Sequence, residues 1–438
     1  MPDLSINFCG IRSPNPFWLA SGPPTNTAYQ VMRAFDAGWG GAVWKTIGEP
    51  IINTASRYGS IDLKNERMMG LNNIELISDR PVDVNLREIA EVKKRFPHHT
   101  VVASLMVESK RETWHDIVRR AEDSGADLLE LNFGCPHGMS ERGMGAAVGQ
   151  VPEYATMITS WVKEVAKTPV IVKLTPNVTD IAHMAVAAKN GNADAVSLVN
   201  TFNSIVGVDL DSYAPRPAVA GRGSHGGYCG PAVKPIALHM VSSVAKTVDI
   251  PISGIGGIGN WRDAVEFMLL GATSVQVCTA AMHYGFRIVR DMIEGLENYL
   301  EDKGFASAMD IVGKSTPRID DWGNLDLNYK IVAKIDAEKC IGCNLCYIAC
   351  EDGAHQCIRV DERPSGDLRH GVDLRHVPLV LEDECVGCNL CALVCPVPGC
   401  IHMAEIDTGR PHMSWKQLQE ARGKSPQCSM EDLLAGGD

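Results

Sequence analysis

Short apolar runs alternate with longer stretches of helical periodicity along the first two thirds of the chain. Most of the runs are almost entirely apolar, as parallel strands covered on both faces are. Eight are predicted to be strands, at residues 17–21, 42–46, 101–106, 128–133, 170–175, 195–200, 251–255 and 274–279. The clearest helix is predicted over 153–166, with an apolar stripe of Met157, Ile158, Trp161, Val162 and Val165. Eight strands that alternate with helices predict an α/β fold, a (β/α)8 TIM barrel, and the strand count favours it over a doubly wound open sheet.

The loops that follow the strands carry the chemistry in a barrel of this kind. Two of them are long, at residues 47–81 and 201–232, and both are predicted to be lids or binding loops. The predicted domains are a barrel over 1–302, a linker over 303–333, a small α+β ferredoxin-like domain over 334–404 and a C-terminal tail over 405–438.

Charge and hydropathy narrow the class of protein. The formal net charge of −12 over 438 residues argues against nucleic-acid binding, because phosphate contacts need a basic surface. No apolar run approaches the roughly 20 residues that cross a bilayer. The opening MPDLSINFCG lacks the basic and apolar segments of a signal peptide. The sequence therefore predicts a cytoplasmic protein without membrane or nucleic-acid partners.

Cysteines are concentrated in the last quarter of the chain, where CIGCNLCYIAC (340–350) and CVGCNLCALVC (385–395) form an internal repeat. Both runs have the C-x₂-C-x₂-C-x₃-C spacing of two-cluster ferredoxins, in which the fourth cysteine binds the other cluster. Two [4Fe–4S] clusters are predicted, and the alternatives are paired zinc sites or a disulfide scaffold. The predicted ligands are Cys340, Cys343, Cys346 and Cys395 for one cluster and Cys385, Cys388, Cys391 and Cys350 for the other.

Three further cysteines, Cys357, Cys400 and Cys428, fall outside this spacing. They are predicted to be packed thiols or incidental ones, with Cys400 beside a cluster.

The barrel carries a glycine-rich run, SGIGGIG (253–259), after its seventh strand. The run contains G-x-G-x-x-G, but no acidic residue follows at the distance that a dinucleotide site requires. The loops after strands seven and eight of a barrel commonly hold a phosphate, which suits FMN better than NAD. Backbone N–H groups of residues 255–257, with Cys278 and Thr279, are the predicted phosphate ligands.

Polar residues at the other strand ends indicate what the barrel binds. Lys45 and Lys173 follow strands, where a cation can face a flavin as negative charge develops on it. The alternative for each lysine is a structural role, either as a helix cap or in a salt bridge. Asn73, Asn132 and Asn200 offer donors and acceptors that match an amide-like ring, although each alone could be a loop cap.

These residues carry a resemblance that covers nearly the whole chain. Asn73-Ile74-Glu75, NFGCPHG (132–138), LTPN (174–177), Asn200-Thr201 and GGYCGPAVKPIAL (226–238) closely resemble the dihydropyrimidine dehydrogenases. The similarity is greatest to the bacterial NAD-dependent kind, and the barrel also resembles the wider superfamily of class 1 dihydroorotate dehydrogenases.

The resemblance implies a role for each matching position. The implied FMN contacts are Ala20, Ser21, Lys45, Thr46, Lys173, Gly230, Ile255, Gly256, Gly257, Cys278 and Thr279. The implied pyrimidine contacts are Asn73, Glu75, Asn132, Asn200 and Thr201, together with Gly134, where the family usually has serine. The implied general acid is Cys135.

The implied reaction is the reduction of uracil or thymine to the 5,6-dihydropyrimidine, the first step of reductive pyrimidine catabolism. Hydride would pass from N5 of reduced FMN to C6, and Cys135 would give a proton to C5. An ordinary thiol, with a pKa of about 8.5, is protonated at neutral pH as an acid must be.

The resemblance also implies a partner, because the chain has no second flavin or nicotinamide domain. Electrons would come through the clusters from a subunit that binds FAD and NAD(H), with a homodimeric core in a heterotetramer. The alternatives are a dihydroorotate dehydrogenase catalytic chain and an electron carrier whose barrel has no catalytic role.

Overall fold

A computed structural model of the chain describes residues 1–49, 51, 55–63, 66–136, 143–364 and 374–423. It separates into two units, Met1–Arg318 and Ile319–Asp438. His137 and Gly138 of the NFGCPHG run and Cys428 lie outside the described residues.

A closed barrel of eight parallel strands forms the first unit, in the order β3-β4-β7-β8-β9-β10-β13-β14. Its strands are buried along their length because helices cover the outer face and side chains fill the interior. The strands of this unit are β1 (Ile6–Phe8), β2 (Ile11–Ser13), β3 (Phe17–Leu19), β4 (Gly41–Val43), β5 (Tyr58–Leu63), β6 (Glu66–Asn73), β7 (Thr100–Leu105), β8 (Leu128–Asn132), β9 (Val170–Lys173), β10 (Ala195–Leu198), β11 (Phe202–Ser204), β12 (Gly226–Cys229), β13 (Ile252–Ile255) and β14 (Ala272–Val277). The prediction of a TIM barrel is confirmed, and each predicted strand corresponds to one of the barrel strands.

The helices of the first unit are α1 (Ala28–Ala37), α2 (Val82–Arg95), α3 (Arg111–Asp123), α4 (Ala146–Gly149), α5 (Pro152–Lys163), α6 (Ile181–Asn190), α7 (Lys234–Ala245), α8 (Trp261–Leu269), α9 (Thr279–Tyr284) and α10 (Ile288–Lys303). Helix α5 corresponds to the predicted helix over 153–166. It buries Ala155, Ile158 and Val162, whereas Met157 of the predicted stripe is exposed.

The two long loops meet in an antiparallel sheet of order β11-β12-β6-β5. Strands β5 and β6 come from the loop after β4, and strands β11 and β12 come from the loop after β10. Asn73 on β6 pairs with Tyr58 on one side and Gly227 on the other. We call this sheet the lid sheet, because its residues line the same cavity as the carboxyl ends of the barrel strands.

The division between the two units falls inside the predicted linker 303–333. Ala308 and Ile311 are fully buried in the core of the first unit, so the first half of that segment packs on the barrel.

Across the described residues, no helix combines the length and apolar character that a membrane span requires.

The second unit contains β15 (Lys330–Ile335), α11 (Leu345–Gly353), β16 (Ile358–Pro364), β17 (Leu374–Val380), α12 (Leu390–Leu393), β18 (Ile401–Ile406) and α13 (Trp415–Ala421). Strands β15 and β18 are antiparallel, and β16 and β17 form a second antiparallel pair. Part of the predicted tail is ordered in this unit, because it supplies the end of β18 and all of α13.

The sequence repeat of the cysteine runs is also a repeat of backbone conformation. Gly342 and Gly387 have φ of 71° and 72°, and Asn344 and Asn389 have φ of 58° and 67°. Such left-handed residues turn the chain sharply before each helix, and glycine adopts this conformation without steric cost. A Cβ atom at Gly387 would lie 2.6 Å from the carbonyl oxygen of Ile331, so the chain passes there too closely for any side chain.

Candidate functional site

A cavity of about 430 Å³ lies at the carboxyl ends of the barrel strands, between the barrel and the lid sheet. This volume is within the range of small-molecule sites, which is roughly 300–1,000 Å³. The cavity brings together almost all of the residues that the sequence predicts to bind FMN or pyrimidine. Those that line it are Ala20, Ser21, Lys45, Thr46, Asn73, Glu75, Asn132, Cys135, Lys173, Asn200, Thr201, Gly230, Ile255, Gly256, Gly257, Cys278 and Thr279. Gly134 is the predicted site residue that does not line it.

Each of the two predicted flavin lysines is paired with a buried glutamate. Lys45 Nζ lies 2.7 Å from Glu75 Oε1, and both side chains are almost completely buried. Lys173 Nζ lies 3.5 Å from Glu130 Oε1, and Glu130 has no exposed surface. Both the functional prediction and the structural alternative for these lysines therefore have support, because each lysine lines the cavity and forms an ion pair.

Glu75 also connects the lid sheet to the barrel. Its Oε1 accepts a hydrogen bond from Arg57 Nη1 at 2.8 Å, and its Oε2 accepts one from the hydroxyl of Tyr58 at 2.9 Å. Burial and the carboxylate of Glu75 raise the pKa of Tyr58 well above its ordinary value, so that its hydroxyl stays a donor. Neither Arg57 nor Tyr58 was predicted, because their position depends on the pairing of β5 with β6 and has no signature in the sequence.

Asparagine side chains form a hydrogen-bonded series across the cavity. Asn200 Nδ2 donates to Asn132 Oδ1 at 3.0 Å, and Asn132 Nδ2 donates to Thr46 Oγ1 at 2.9 Å. Asn73, on the lid sheet, donates to the carbonyl oxygen of Gly227 at 3.2 Å. These bonds fix the orientation of two carboxamides at the cavity wall, so they would not have to be ordered when a ligand binds.

Gly134 explains how Asn200 reaches Asn132. A Cβ atom at position 134 would lie 2.5 Å from Asn200 Cβ and 2.8 Å from Asn200 Nδ2. Any side chain there requires Asn200 to move. The glycine that stands where the family usually has serine therefore leaves the space in which the carboxamide pair forms.

We expect Gly134→Ser to displace Asn200 and break its hydrogen bond to Asn132. One such bond contributes about 0.5–1.5 kcal/mol, so the affinity for a pyrimidine should fall by about two- to tenfold. The measurement is equilibrium binding of uracil to the FMN-loaded protein, with flavin content as the control. Unchanged uracil affinity would show that binding does not need the Asn132–Asn200 bond.

Cys135 is nearly buried and packs against Ile77, Met106 and Met144. Its Sγ donates to the carbonyl oxygen of Leu76 at 3.6 Å. Two other thiols, Cys229 and Cys278, line the same cavity. Burial raises the pKa of both, that of Cys278 to about 12, so that they are neutral at physiological pH.

The glycine-rich run forms a loop over one end of the cavity. Gly256 and Gly257 have φ of 132° and 75°, a region that other residues rarely adopt. Cβ atoms there would lie 2.7 Å from Ala237 Cβ and 2.8 Å from Lys234 Cβ respectively. Asp263 holds the end of the loop by accepting from the backbone N–H of Gly259 at 2.9 Å.

The two sets of predicted cluster ligands surround two separate small cavities of the second unit. One is lined by Cys340, Cys343, Cys346 and Cys395, and the other by Cys350, Cys385, Cys388 and Cys391. The grouping is the one that the ferredoxin spacing predicts, in which the fourth cysteine of each run crosses to the other group.

Each of these cavities is also lined by a fifth cysteine. Cys400 lines the first cavity and Cys357 the second. Cys357 Sγ lies 3.6 Å from Cys350 Sγ, and its backbone N–H donates to the same sulfur at 3.4 Å.

Comparisons with known proteins agree with this architecture. The family model "Dihydroorotate dehydrogenase" matches residues 3–300, and the model "4Fe-4S dicluster domain" matches residues 333–403. The NAD-dependent dihydropyrimidine dehydrogenase subunit PreA of Escherichia coli is 42% identical over 365 residues, which cover 82% of this chain and 88% of that protein.

Two further relatives are similar over about seven tenths of this chain. The chloroplastic dihydropyrimidine dehydrogenase (NADP(+)) of Arabidopsis thaliana is 40% identical over 72% of this chain and 77% of its own. The catalytic subunit of dihydroorotate dehydrogenase B (NAD(+)) from Pyrococcus horikoshii is 38% identical over 71% of this chain and 97% of its own.

The barrel, its cavity and the cysteine-rich unit are the parts of an iron–sulfur flavoprotein oxidoreductase. The chain belongs to the dihydroorotate dehydrogenase family and carries a 4Fe-4S dicluster domain in addition. Its cofactors are accordingly FMN, which this family binds, and two [4Fe–4S] clusters.

The residues present fit both kinds of cofactor. Buried lysines, the hydroxyls of Ser21 and Thr46 and a glycine loop supply the donors that an isoalloxazine and a phosphate accept. Cysteine thiolates are the ligands of [4Fe–4S] clusters, and four cysteines of the predicted set surround each cavity of the second unit.

Proposed function

We propose that the protein reduces uracil or thymine to the 5,6-dihydropyrimidine. The observation that supports this best is a single cavity in which Cys135, Asn73, Asn132 and Asn200 lie with the two buried lysines. In this proposal bound FMN supplies the hydride, which reaches C6 of the pyrimidine. The protein's own residues bind the ring, stabilise the developing charge and provide the proton.

The asparagines would hold the ring through its amide edges. A carboxamide both donates and accepts, so it can pair with the alternating N–H and C=O groups of a pyrimidine. Negative charge develops on the C4 oxygen and C5 as hydride arrives at C6, and fixed N–H donors stabilise it. Glu75 and Thr201 complete the proposed contacts.

Cys135 is the proposed general acid. The S–H bond breaks as the proton moves to C5, and the sulfur keeps the electron pair as a thiolate. The thiolate then takes up a proton from the solvent before the next turnover.

The ion pairs favour a neutral ring over a substrate that carries a carboxylate. Three lysines line the cavity, and each is paired with a carboxylate of the protein. Lys45 pairs with Glu75, Lys173 with Glu130, and Lys234 with Asp263 at 2.7 Å. This pattern leaves little unbalanced positive charge to bind the carboxylate of dihydroorotate. Uracil and thymine carry no carboxylate and need no such charge.

The test is an anaerobic assay of the full chain loaded with FMN and clusters. The chemically reduced protein should be reoxidised by uracil or thymine, with dihydropyrimidine as the product. Preferential turnover of dihydroorotate or orotate would assign the protein to dihydroorotate oxidation instead. Cluster reduction that depends on neither FMN nor pyrimidine would identify an electron carrier.

The source of electrons is also part of the proposal. Clusters transfer single electrons, and FMN can hold one or two, so FMN is the suitable junction with a two-electron reaction. A subunit that binds FAD and NAD(H) would supply the electrons. The complex would be a heterotetramer with a homodimeric core, and it would act in the cytoplasm. Co-purification of such a subunit, and NADH-dependent uracil reduction only in its presence, would support this part.

The ligand assignment in the second unit can be tested with two neighbouring cysteines. Cys350 and Cys357 line the same cavity, but the spacing assigns only Cys350 as a ligand. We expect Cys350→Ala to lose the electron paramagnetic resonance signal of one reduced cluster, and Cys357→Ala to keep both signals. The reverse result would show that Cys357 is the ligand.

A further inference from the structure

Glu130 is a fully buried carboxylate inside the barrel, directly below the cavity that Lys173 and Gln276 line. It comes from β8, two residues before Asn132. The cavity's lining includes Lys173 and Gln276 but not Glu130, so Glu130 does not contact a group bound in the cavity.

The side chain of Glu130 has two hydrogen-bond donors and one cation as neighbours. Its Oε2 accepts from Ser197 Oγ at 2.8 Å and from Gln276 Nε2 at 3.4 Å. Its Oε1 has no hydrogen-bond partner among the described residues and lies 3.5 Å from Lys173 Nζ. Glu130 therefore faces two hydrogen-bond donors and a cation.

The ion pairs of Lys45 and Lys173 differ in how firmly each holds its lysine. Lys45 donates a hydrogen bond of 2.7 Å to Glu75. Lys173 is close enough to Glu130 for strong electrostatic attraction, but their distance of 3.5 Å exceeds that of a normal N–H···O bond. Lys173 can therefore direct its N–H groups into the cavity while Glu130 offsets its charge from below.

We propose that Glu130 is a positioning residue that limits how strongly Lys173 stabilises negative charge on the flavin. The proposal rests on the placement of Lys173 beside FMN in the proposed function. Reduction adds negative charge to the flavin. The Lys173 ammonium stabilises that charge, and the Glu130 carboxylate offsets the charge of the ammonium. Glu130 thus lowers the reduction potential of FMN and favours electron transfer from the flavin to a pyrimidine.

The test is the midpoint potential of FMN in the full chain, measured by anaerobic spectroelectrochemistry without any pyrimidine. Glu130→Gln keeps the shape of the side chain and removes its charge. We expect the equilibrium between oxidised and reduced flavin to shift at least tenfold toward the reduced form, which is about 30 mV upward for two electrons. Because no substrate is present, this result does not depend on which pyrimidine the protein reduces.

Three further variants make the test specific. Ser253→Ala alters the same polar network, because Ser253 accepts from Gln276, but it removes no charge and should leave the potential unchanged. Glu130→Asp keeps the charge, so it should shift the potential less than Glu130→Gln does, and it is available if the latter fails to fold. In a Lys173→Met background, Glu130→Gln should shift the potential less than in the wild-type chain.

An unchanged potential in Glu130→Gln would overturn the proposal. If that variant does not fold, a Glu130→Asp potential equal to that of the wild-type chain would overturn it. A shift of the same size with and without Lys173 would also overturn it, because Glu130 would then act on the flavin directly.

Discussion

Replacing Cys135 with alanine should lower the rate of pyrimidine reduction by roughly 10²–10⁴, the usual contribution of a general acid. The physical reason is that no positioned acid would then face C5 of the ring, which would have to take its proton from water. Cys135 is only 5% exposed, and its neighbours Ile77, Met106 and Met144 offer no acidic proton. The measurement is single-turnover oxidation of the reduced protein by uracil under anaerobic conditions.

The variant should keep both kinds of cofactor, because Cys135 does not belong to either cysteine run. Flavin absorbance and iron content are therefore the first controls. Cys9→Ala is the matched control, because Cys9 lies outside the cavity and donates to the carbonyl oxygen of Asp194. Near wild-type turnover in Cys135→Ala would show that another group supplies the proton.

The barrel could be predicted from the sequence because its strands are local patterns. Runs such as VVASLM and VIVKLT are apolar along their whole length, and only strands covered on both faces have that composition. The lysines near the ends of AVWKT and VIVKLT could be predicted as cavity residues, because the carboxyl ends of the strands in a barrel surround its active-site mouth. The cysteine ligands followed from spacing alone.

The partners of those lysines could not be predicted in the same way. Glu75 pairs with Lys45 and accepts a hydrogen bond from Tyr58, and the position of Tyr58 depends on the pairing of β5 with β6. Glu130 did leave a signal, because a glutamate inside the apolar run LLELNF must be buried with a partner. The role of Gly134 became visible only once the position of Asn200 was known.

Replacing Glu75 with glutamine should destabilise the first unit by about 3–5 kcal/mol, because it leaves Lys45 buried without a counter-ion. The side chain of Lys45 is 6% exposed, so water cannot take over from the carboxylate. Glutamine can still accept a hydrogen bond from Tyr58, so the loss of stability reports mainly on the removal of the negative charge. Denaturant unfolding followed by tryptophan fluorescence measures the effect, since Trp18, Trp39, Trp44 and Trp114 are all buried in this unit.

The double variant Lys45→Met/Glu75→Gln separates the two roles of the ion pair. Removing both charges should restore most of the lost stability, because an uncharged pair is often tolerated where a single buried charge is not. Turnover should not recover, because Lys45 is proposed to face the flavin. If Glu75→Gln alone lowers the free energy of unfolding by less than about 1 kcal/mol, Lys45 must become neutral or pair with another anion when Glu75 is replaced. In that case the Lys45–Glu75 pair would matter for the charge balance around the flavin and little for the stability of the barrel.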